Sequence, residues 1–437
     1  MTRRSLLLRA LALGVCVTGV PNMAFAQQSL EETEKLLNKF EGQIERLLAK
    51  PQPPLFQRHL RSLRAMARSQ YAVLTLQQSS YLRRPFAEHL KEYHGYLETI
   101  SKGFEGDAAD PDAYLKHGSR PLILARASDI DGTLQYYMVN LPPDWDPQKA
   151  YPLFVVLHGT GPDHPMGYPS YGLGPRDAAP EKKGDADPMI RLTPWGRGNR
   201  GWRNDGERDL FEAIADLRTF AQLDPDRWYL TGHSAGGDGA WAIVTRTPDL
   251  WAAAGMQSGS MISCPPSLGL LANMQYVPFH ILIGEKDNLP NRIPDSKEAH
   301  RLLKEAGGET RLLLLPDVGH YPLPESAYRE EETWMRKYVR KRPDRFSFTI
   351  DQSNHPGVWG VRIASRNRGG RVLMAPWPRF DVTIQGADVA ITTRGIERLS
   401  VNLGDNGLRM RGKVKLTING KVVYEGDARS EAMTFDV

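Results

Sequence analysis

A chain of 437 residues exceeds one ordinary domain, and two or three are expected. With 24% charged and 41% apolar residues, the composition is that of a folded globular protein and excludes a disordered one. The net charge is +5, but Arg3, Arg4 and Arg9 fall in the first 26 residues, which hold no acid; the remaining chain carries about +2, too little to argue for nucleic-acid binding.

Residues 1–26 read as a secretory signal. The three arginines supply its positive end, 11–20 its apolar stretch, and Ala24-Phe25-Ala26 a small-x-small cleavage site before Gln27. The apolar stretch is too short for a permanent membrane span. Thr2-Arg3-Arg4-Ser5-Leu6-Leu7 also has the form of a twin-arginine export motif, so a periplasmic or extracellular location is expected. Cys16 leaves with this segment. Cys264 is then alone, which rules out an intrachain disulfide, and beside Pro265-Pro266 it reads as a buried or loop thiol.

Residues 27–115 form the next segment, helical over about 29–103. Leu30, Leu36, Leu37, Phe40, Ile44, Leu47 and Leu48 follow helical spacing; Pro51 to Pro54 interrupt; further amphipathic runs cover 60–76 and 86–100. A Gly/Asp/Pro-rich stretch at 103–111 ends this part.

From 116 to 342 strands and helices alternate, as in a parallel sheet covered on both faces. Runs at 122–125 and 134–141 flank Asp131-Gly132, a hairpin signal. The run 153–157 is apolar throughout, as a strand buried on both faces must be. A long insertion, 162–208, is rich in Pro, Gly and charge in its first half. A helix at 210–220 precedes a strand at 228–230; a strand at 280–283 precedes a helix at 295–306, and 311–315 is the last strand. After Arg342-Pro343 the texture changes to short β-rich runs at 346–350, 358–364, 372–375, 380–384, 389–393, 398–402 and 414–418. Asn419-Gly420 before Lys421-Val422-Val423 is a further hairpin signal. Residues 343–437 therefore read as a small all-β, sandwich-like domain.

The chemistry centres on Trp228-Tyr229-Leu230-Thr231-Gly232-His233-Ser234-Ala235-Gly236-Gly237, a short apolar strand running into Gly-x-Ser-x-Gly and then a helix-compatible run. In such a turn a side chain two residues either side of the serine would clash; Gly232 and Gly236 remove the clash and present the hydroxyl at the top of the sheet. Ser234 is the candidate nucleophile. It needs a base and a carboxylate to orient that base. His320 follows the last strand, and Asp287 ends the strand before it, with Glu285 and Asp317 as rivals for the acid. The order Ser, Asp, His and the position of all three after strands suit one catalytic edge. Backbone donors for an oxyanion are expected from Thr160 and Ala235, with Gly159 in place of Thr160 as the alternative, in His158-Gly159-Thr160-Gly161. His158 is expected to be structural. Trp195, Trp202 and Arg203 either line the mouth of the site and contact substrate or pin the insertion to the core. The histidines show no metal-ligand spacing, so neither metal nor cofactor is expected.

These residues resemble a family. Residues 118–342 are similar to the α/β-hydrolase superfamily, most of all to secreted esterases related to polyhydroxybutyrate depolymerases and feruloyl esterases and to the prolyl-oligopeptidase catalytic domain. The resemblance rests on Tyr151-Pro152-Leu153-Phe154-Val155-Val156-Leu157-His158-Gly159, on Pro194-Trp195-Gly196-Arg197-Gly198, on the elbow above with Asp224-Pro225-Asp226-Arg227 before it, and on Gly319-His320. It implies an α/β-hydrolase sheet and an exported serine hydrolase that cleaves a small-molecule or polymer ester through an acyl-enzyme. Protonated His320 cannot accept the serine proton, so activity is expected to fall in acid. The alternatives are a prolyl-oligopeptidase-type peptidase, against which the missing β-propeller speaks, and a binding or scaffolding protein that uses the C-terminal domain. The helical segment and the β-domain lie outside the resemblance, and oligomeric state is not legible.

Overall fold

The computed structural model describes residues 20–76, 86–104, 111, 115, 121–160, 188–198, 200–265, 269–351, 355–366 and 377–437. The chain forms two units, residues 1–52 with 64–109, and residues 53–63 with 110–437. The helical segment expected as one piece is thus divided between them.

The first unit holds α1 (Val20–Leu48), the later part of α2 (Pro54–Leu76) and α3 (Phe86–Gly103). Leu37, Phe40 and Ile44 of α1 are fully buried, as are Tyr93 and Leu97 of α3. The spacings, i, i+3, i+7 in α1 and i, i+4 in α3, are those of amphipathic helices. The proline of Pro54 sits at the first position of α2, where its missing N–H costs nothing. This explains why the helix starts six residues earlier than the apolar periodicity alone suggests. Among the described residues no helix is long and apolar enough to cross a membrane.

The second unit is built on an eight-stranded sheet of order β1-β2-β4-β3-β5-β6-β7-β8. The strands are β1 (Leu122–Ala127), β2 (Leu134–Asn140), β3 (Ala150–Leu157), β4 (Ile190–Pro194), β5 (Gln222–Gly232), β6 (Ala253–Gln257), β7 (Phe279–Gly284) and β8 (Thr310–Leu315). β2 is antiparallel to both neighbours, and β3 to β8 run parallel. The helices of this sheet are α4 (Asp205–Leu217), α5 (Ala235–Arg246), α6 (Arg292–Glu305) and α7 (Glu325–Met335). Leu153, Val155 and Leu157 of β3 share one core with α4, α5 and α6, while Phe154 packs with Trp334 and Met335 of α7. Two-sided burial is the reason for the unbroken apolar run at 153–157.

Two strands of this sheet were not legible in the sequence. Ile190–Pro194, expected as part of the insertion, is a sheet strand whose Ile190 and Leu192 are buried while Arg191 and Thr193 are only partly so. Five residues containing an arginine and a proline give too little periodicity to read. Ala253–Gln257 is Ala- and Gly-rich because its neighbours leave no room: a Cβ on Gly255 would lie 2.4 Å from Glu331 Oε1.

The edge strand β1 is blunted by the first turns of α2. Ile123 N–H donates to His59 Nδ1 (2.9 Å) and Ala125 N–H to Ser62 Oγ (2.9 Å), so two outward-facing donors find side-chain acceptors. Burial holds His59 down to about 4, which keeps the ring neutral and its lone pair available.

The C-terminal part is all β, as expected. One sheet runs β16 (Lys421–Asp427), β15 (Lys413–Ile418), β13 (Asp388–Arg394), β12 (Arg379–Gln385) and β9 (Arg345–Thr349). The other runs β10 (Gly357–Val358), β11 (Val361–Arg366), β14 (Ile396–Val401) and β17 (Met433–Asp436). Their inner faces share one apolar core. Asn419 and Gly420 both take positive φ (50° and 81°), as a type I′ hairpin requires. The run expected at 358–364 is instead two strands, because Trp359 and Gly360 turn with φ of 47° and 84°. The expected strand at 372–375 lies outside the described residues. Asn273 bridges this part to α5: its amide donates to Thr245 O (2.8 Å) and Thr349 O (2.9 Å) and accepts from Thr349 N–H (3.0 Å).

Candidate active site

β5 ends at Gly232 and α5 begins at Ala235, leaving His233 and Ser234 to make the turn. Ser234 has φ 56° and ψ −119°, a left-handed conformation that strains a residue with a side chain. The strain is held by close packing. A Cβ on Gly236 would lie 2.1 Å from Leu157 O, and one on Gly232 2.5 Å from Gly236 O. Ser234 N–H is fixed by Gln257 O at 2.8 Å.

The loops after β7 and β8 meet this turn. A Cβ on Gly284 would lie 2.2 Å from Val318 O, and Lys286 N–H donates to Val318 O at 2.8 Å, so the 318–320 loop lies against the end of β7. His320 Nδ1 is 2.8 Å from Asp287 Oδ2, and His320 Nε2 is 3.0 Å from Ser234 Oγ. A carboxylate only accepts, so Nδ1–H donates to Asp287 and Nε2 is left to accept the serine proton. The Asp287 side chain is fully buried and also accepts Leu289 N–H at 3.1 Å. The two rivals are elsewhere: Glu285 is exposed, and Asp317 is exposed and paired with Lys286 at 2.7 Å.

The 158–160 loop lies against the elbow. A Cβ on Gly159 would be 3.2 Å from Ser234 Cβ. Neither the Thr160 nor the Ala235 backbone N–H has a hydrogen-bond partner among the described residues. Ala235 also opens α5, where the first amides point out of the helix. His158 is half-buried, with Nε2 2.7 Å from Trp195 O and Nδ1 2.8 Å from Gly159 O, and desolvation lowers its pKa. It ties the 158–160 loop to the 195 turn.

Of the two alternatives for Trp202, lining the mouth or pinning the insertion to the core, its surroundings match the second. It is 3% exposed, donates from Nε1 to His158 O (3.0 Å), and sits where Cβ atoms on Gly196 and Gly239 would be 2.5 and 2.3 Å away. Its large ring is a wedge between the 195–202 turn and α5. Trp195 is half-buried beside Tyr136, with ring centroids 6.5 Å apart. Arg203 is exposed and donates to Ser263 Oγ at 2.8 Å, linking two loops at the carboxyl edge of the sheet.

Several supporting residues gave no signal in the sequence. His233 occupies a free position of the motif, yet its Nε2 lies 2.9 Å from His320 O and its ring 4.9 Å from the His320 ring. Burial lowers its pKa, so it steadies His320 as a neutral neighbour. Asp238 accepts Ser260 N–H (2.7 Å) and pairs with Arg292, joining α5 to the start of α6. Glu331 of α7 is buried behind β5 and β6, where it accepts from Thr231 Oγ1 (3.1 Å) and from the Gln257 amide. None of these pairings is local in sequence.

Glu331 makes stability depend on pH. Burial pushes its carboxyl up to about 7, against the donors Gln257 and Thr231. Between its ordinary value, roughly 4.3, and about 7 the folded protein keeps a proton that the unfolded chain has released. Raising pH through that window therefore removes stability. His280, 3.9 Å away and pushed down to about 4 by burial, acts in the opposite sense, but it is common to wild type and variant. Glu331→Gln keeps an acceptor and cannot ionise. It should gain on wild type by about 1–3 kcal/mol between pH 5 and pH 8, read from urea-unfolding midpoints. A difference independent of pH would contradict the assignment.

The strand order, the strained Ser234 turn and the Asp287–His320–Ser234 chain define the class: this is an α/β-hydrolase fold with added helical and all-β parts. No family model matches the chain. It is similar to a probable feruloyl esterase C of Aspergillus terreus, 30% identical over 155 residues that cover 33% of this chain and 53% of that protein. It is also similar to an uncharacterized secreted protein of Arthroderma benhamiae, 25% identical over 218 residues that cover 39% of this chain and 22% of that protein. The chain thus spans about half the length of one of these relatives and about a fifth of the other. Among solved structures a thermostable esterase aligns with a TM-score of 0.42 at 22% identity, covering 50% of this chain and 63% of that one.

Proposed function

We propose that this chain is an exported serine hydrolase of carboxylic esters. The observation that carries the reading is the position of His320, within hydrogen-bonding distance of both Ser234 Oγ and Asp287 Oδ2. Ser234 attacks the ester carbonyl as His320 takes its proton. The free amides of Thr160 and Ala235 receive the oxyanion, and Gly159, packed on Ser234, allows the loop that carries Thr160 to come close. The tetrahedral intermediate expels the alcohol, which takes the proton back from His320. Water then attacks the acyl-enzyme, again giving its proton to His320, and the acid leaves as Ser234 regains its hydrogen. Trp195 and Arg203 remain candidates for the substrate side. The relative named a feruloyl esterase supports an ester as substrate.

The reading takes 116–342 as catalytic domain and 343–437 as an accessory β-domain. Export is supported by Arg3, Arg4, Arg9 and the Ala24-Phe25-Ala26 site. Residues 1–19 lie outside the described ones.

The test is turnover of p-nitrophenyl acetate and longer-chain esters beside proline-containing peptides. Ester turnover, with one equivalent of a serine-directed organophosphate abolishing it, is expected. Cleavage of the peptides without ester turnover would make it a peptidase, and neither activity would leave a binding protein.

A further inference from the structure

A groove of about 350 Å³ opens beside Ala252 and Pro278, at the amino ends of β6 and β7. Ser234, Asp287 and His320 follow the carboxyl ends of the strands, so roughly the length of a strand, some 17–20 Å, separates the groove from them. This volume is that of a ligand site.

Both parts of the unit build it. Trp359, from the turn between β10 and β11, is fixed by its backbone N–H, which donates to Asp249 Oδ2 (2.9 Å), and by Phe346, whose ring centroid is 4.7 Å away. Tyr276 meets Trp359 edge to face at 5.3 Å, and Pro278 and Tyr338 also line the groove.

The rim is cationic. Residues 336–342 carry five cations, of which three are committed: Arg336 to Glu332, Arg340 to Asp226 and Arg342 to Asp344. Lys337 and Lys341 both line the groove, are exposed, and pair with no carboxylate among the described residues. Val339 between them is 51% exposed, one of few large apolar side chains on the described surface.

We propose that this groove binds a uronate-bearing polysaccharide. Trp359 is only 5% exposed and backs the groove, so the half-buried Tyr276, Pro278 and Tyr338 are the rings that can meet the C–H faces of pyranose rings. Two free lysines whose backbone positions lie four residues, at most about 14 Å, apart suit carboxylates on more than one ring. A compact aromatic acid would need only one of them. The inference goes beyond the ester chemistry, because binding here is read without turnover.

The experiment titrates the mature full chain with polygalacturonate by calorimetry, with p-nitrophenyl acetate turnover read on the same samples. Saturable binding is expected, weakened at least tenfold in K337A/K341A and in V339E, with turnover unchanged. K413A/K415A, which removes two exposed charges from β15, is expected to bind as wild type. Neutral xylan and polyglutamate are expected to bind at least tenfold more weakly. Equal binding of polyglutamate, equal loss in K413A/K415A, or no loss in K337A/K341A would each overturn the proposal. Absent turnover with intact polygalacturonate binding would reject the esterase reading and leave this one standing.

Discussion

Ser234→Ala is expected to lower kcat for p-nitrophenyl esters by at least about 10,000-fold while the protein stays folded. The hydroxyl at 3.0 Å from His320 Nε2 is the group that forms the acyl-enzyme, and no neighbouring side chain replaces it. Asp287→Asn should cost a comparable factor by disturbing the tautomer and orientation of His320, whereas Glu285→Gln and Asp317→Asn should leave turnover close to wild type. The strain at Ser234 supplies a second readout that does not depend on substrate. Glycine accepts φ 56° without a Cβ penalty, so Ser234→Gly should unfold later in urea than Ser234→Ala, by about 1 kcal/mol. Both variants lack the hydroxyl, so the comparison isolates the backbone. Equal midpoints would mean that the turn is relaxed in solution, and unchanged turnover in Ser234→Ala would remove the nucleophile.

The largest structural effect is expected at Gly236. An added methyl would lie 2.1 Å from Leu157 O and 2.7 Å from His158 O, both backbone atoms that cannot swing aside. Gly236→Ala must therefore push α5 away from β3. The cost is expected to be roughly 3 kcal/mol or more. The same displacement separates Ser234 from His320 and from the 158–160 loop, so turnover should fall with stability. Gly95 in α3 is the control: a Cβ there meets nothing within 4 Å, and Gly95→Ala should be neutral or stabilising by up to about 1 kcal/mol. A Gly236→Ala protein with wild-type midpoint and turnover would mean that the elbow is not packed as described.

Pro54 shows how much local chemistry conveys and how little it extends. The breaks at 51–54 were legible as an interruption between helices, but not the start of α2 at Pro54 itself. The hairpins at Gly132 and at Asn419-Gly420 were legible because those residues favour positive φ. The turn at Trp359-Gly360 was not, since tryptophan rarely takes φ 47° and the run around it reads as one strand. β4 and β6 escaped notice because five-residue strands interrupted by arginine, proline or glycine carry no clear period.

Features encoded within a few residues can be read from the chain alone: the glycines that allow the Ser234 turn, the apolar strand before it, and the placing of His320 and Asp287 just after strands. Which distant groups meet is set by the folded arrangement. It brought Asp287, and not Glu285 or Asp317, to His320 Nδ1; it turned Trp202 inward against Gly196 and Gly239; and it buried Glu331 behind the elbow. The difference is one of range. Backbone conformation and steric clearance act between near neighbours and leave a local imprint. Hydrogen bonds and ring packing act between atoms a few ångströms apart in space, and the order of the strands in the sheet sets which residues those are.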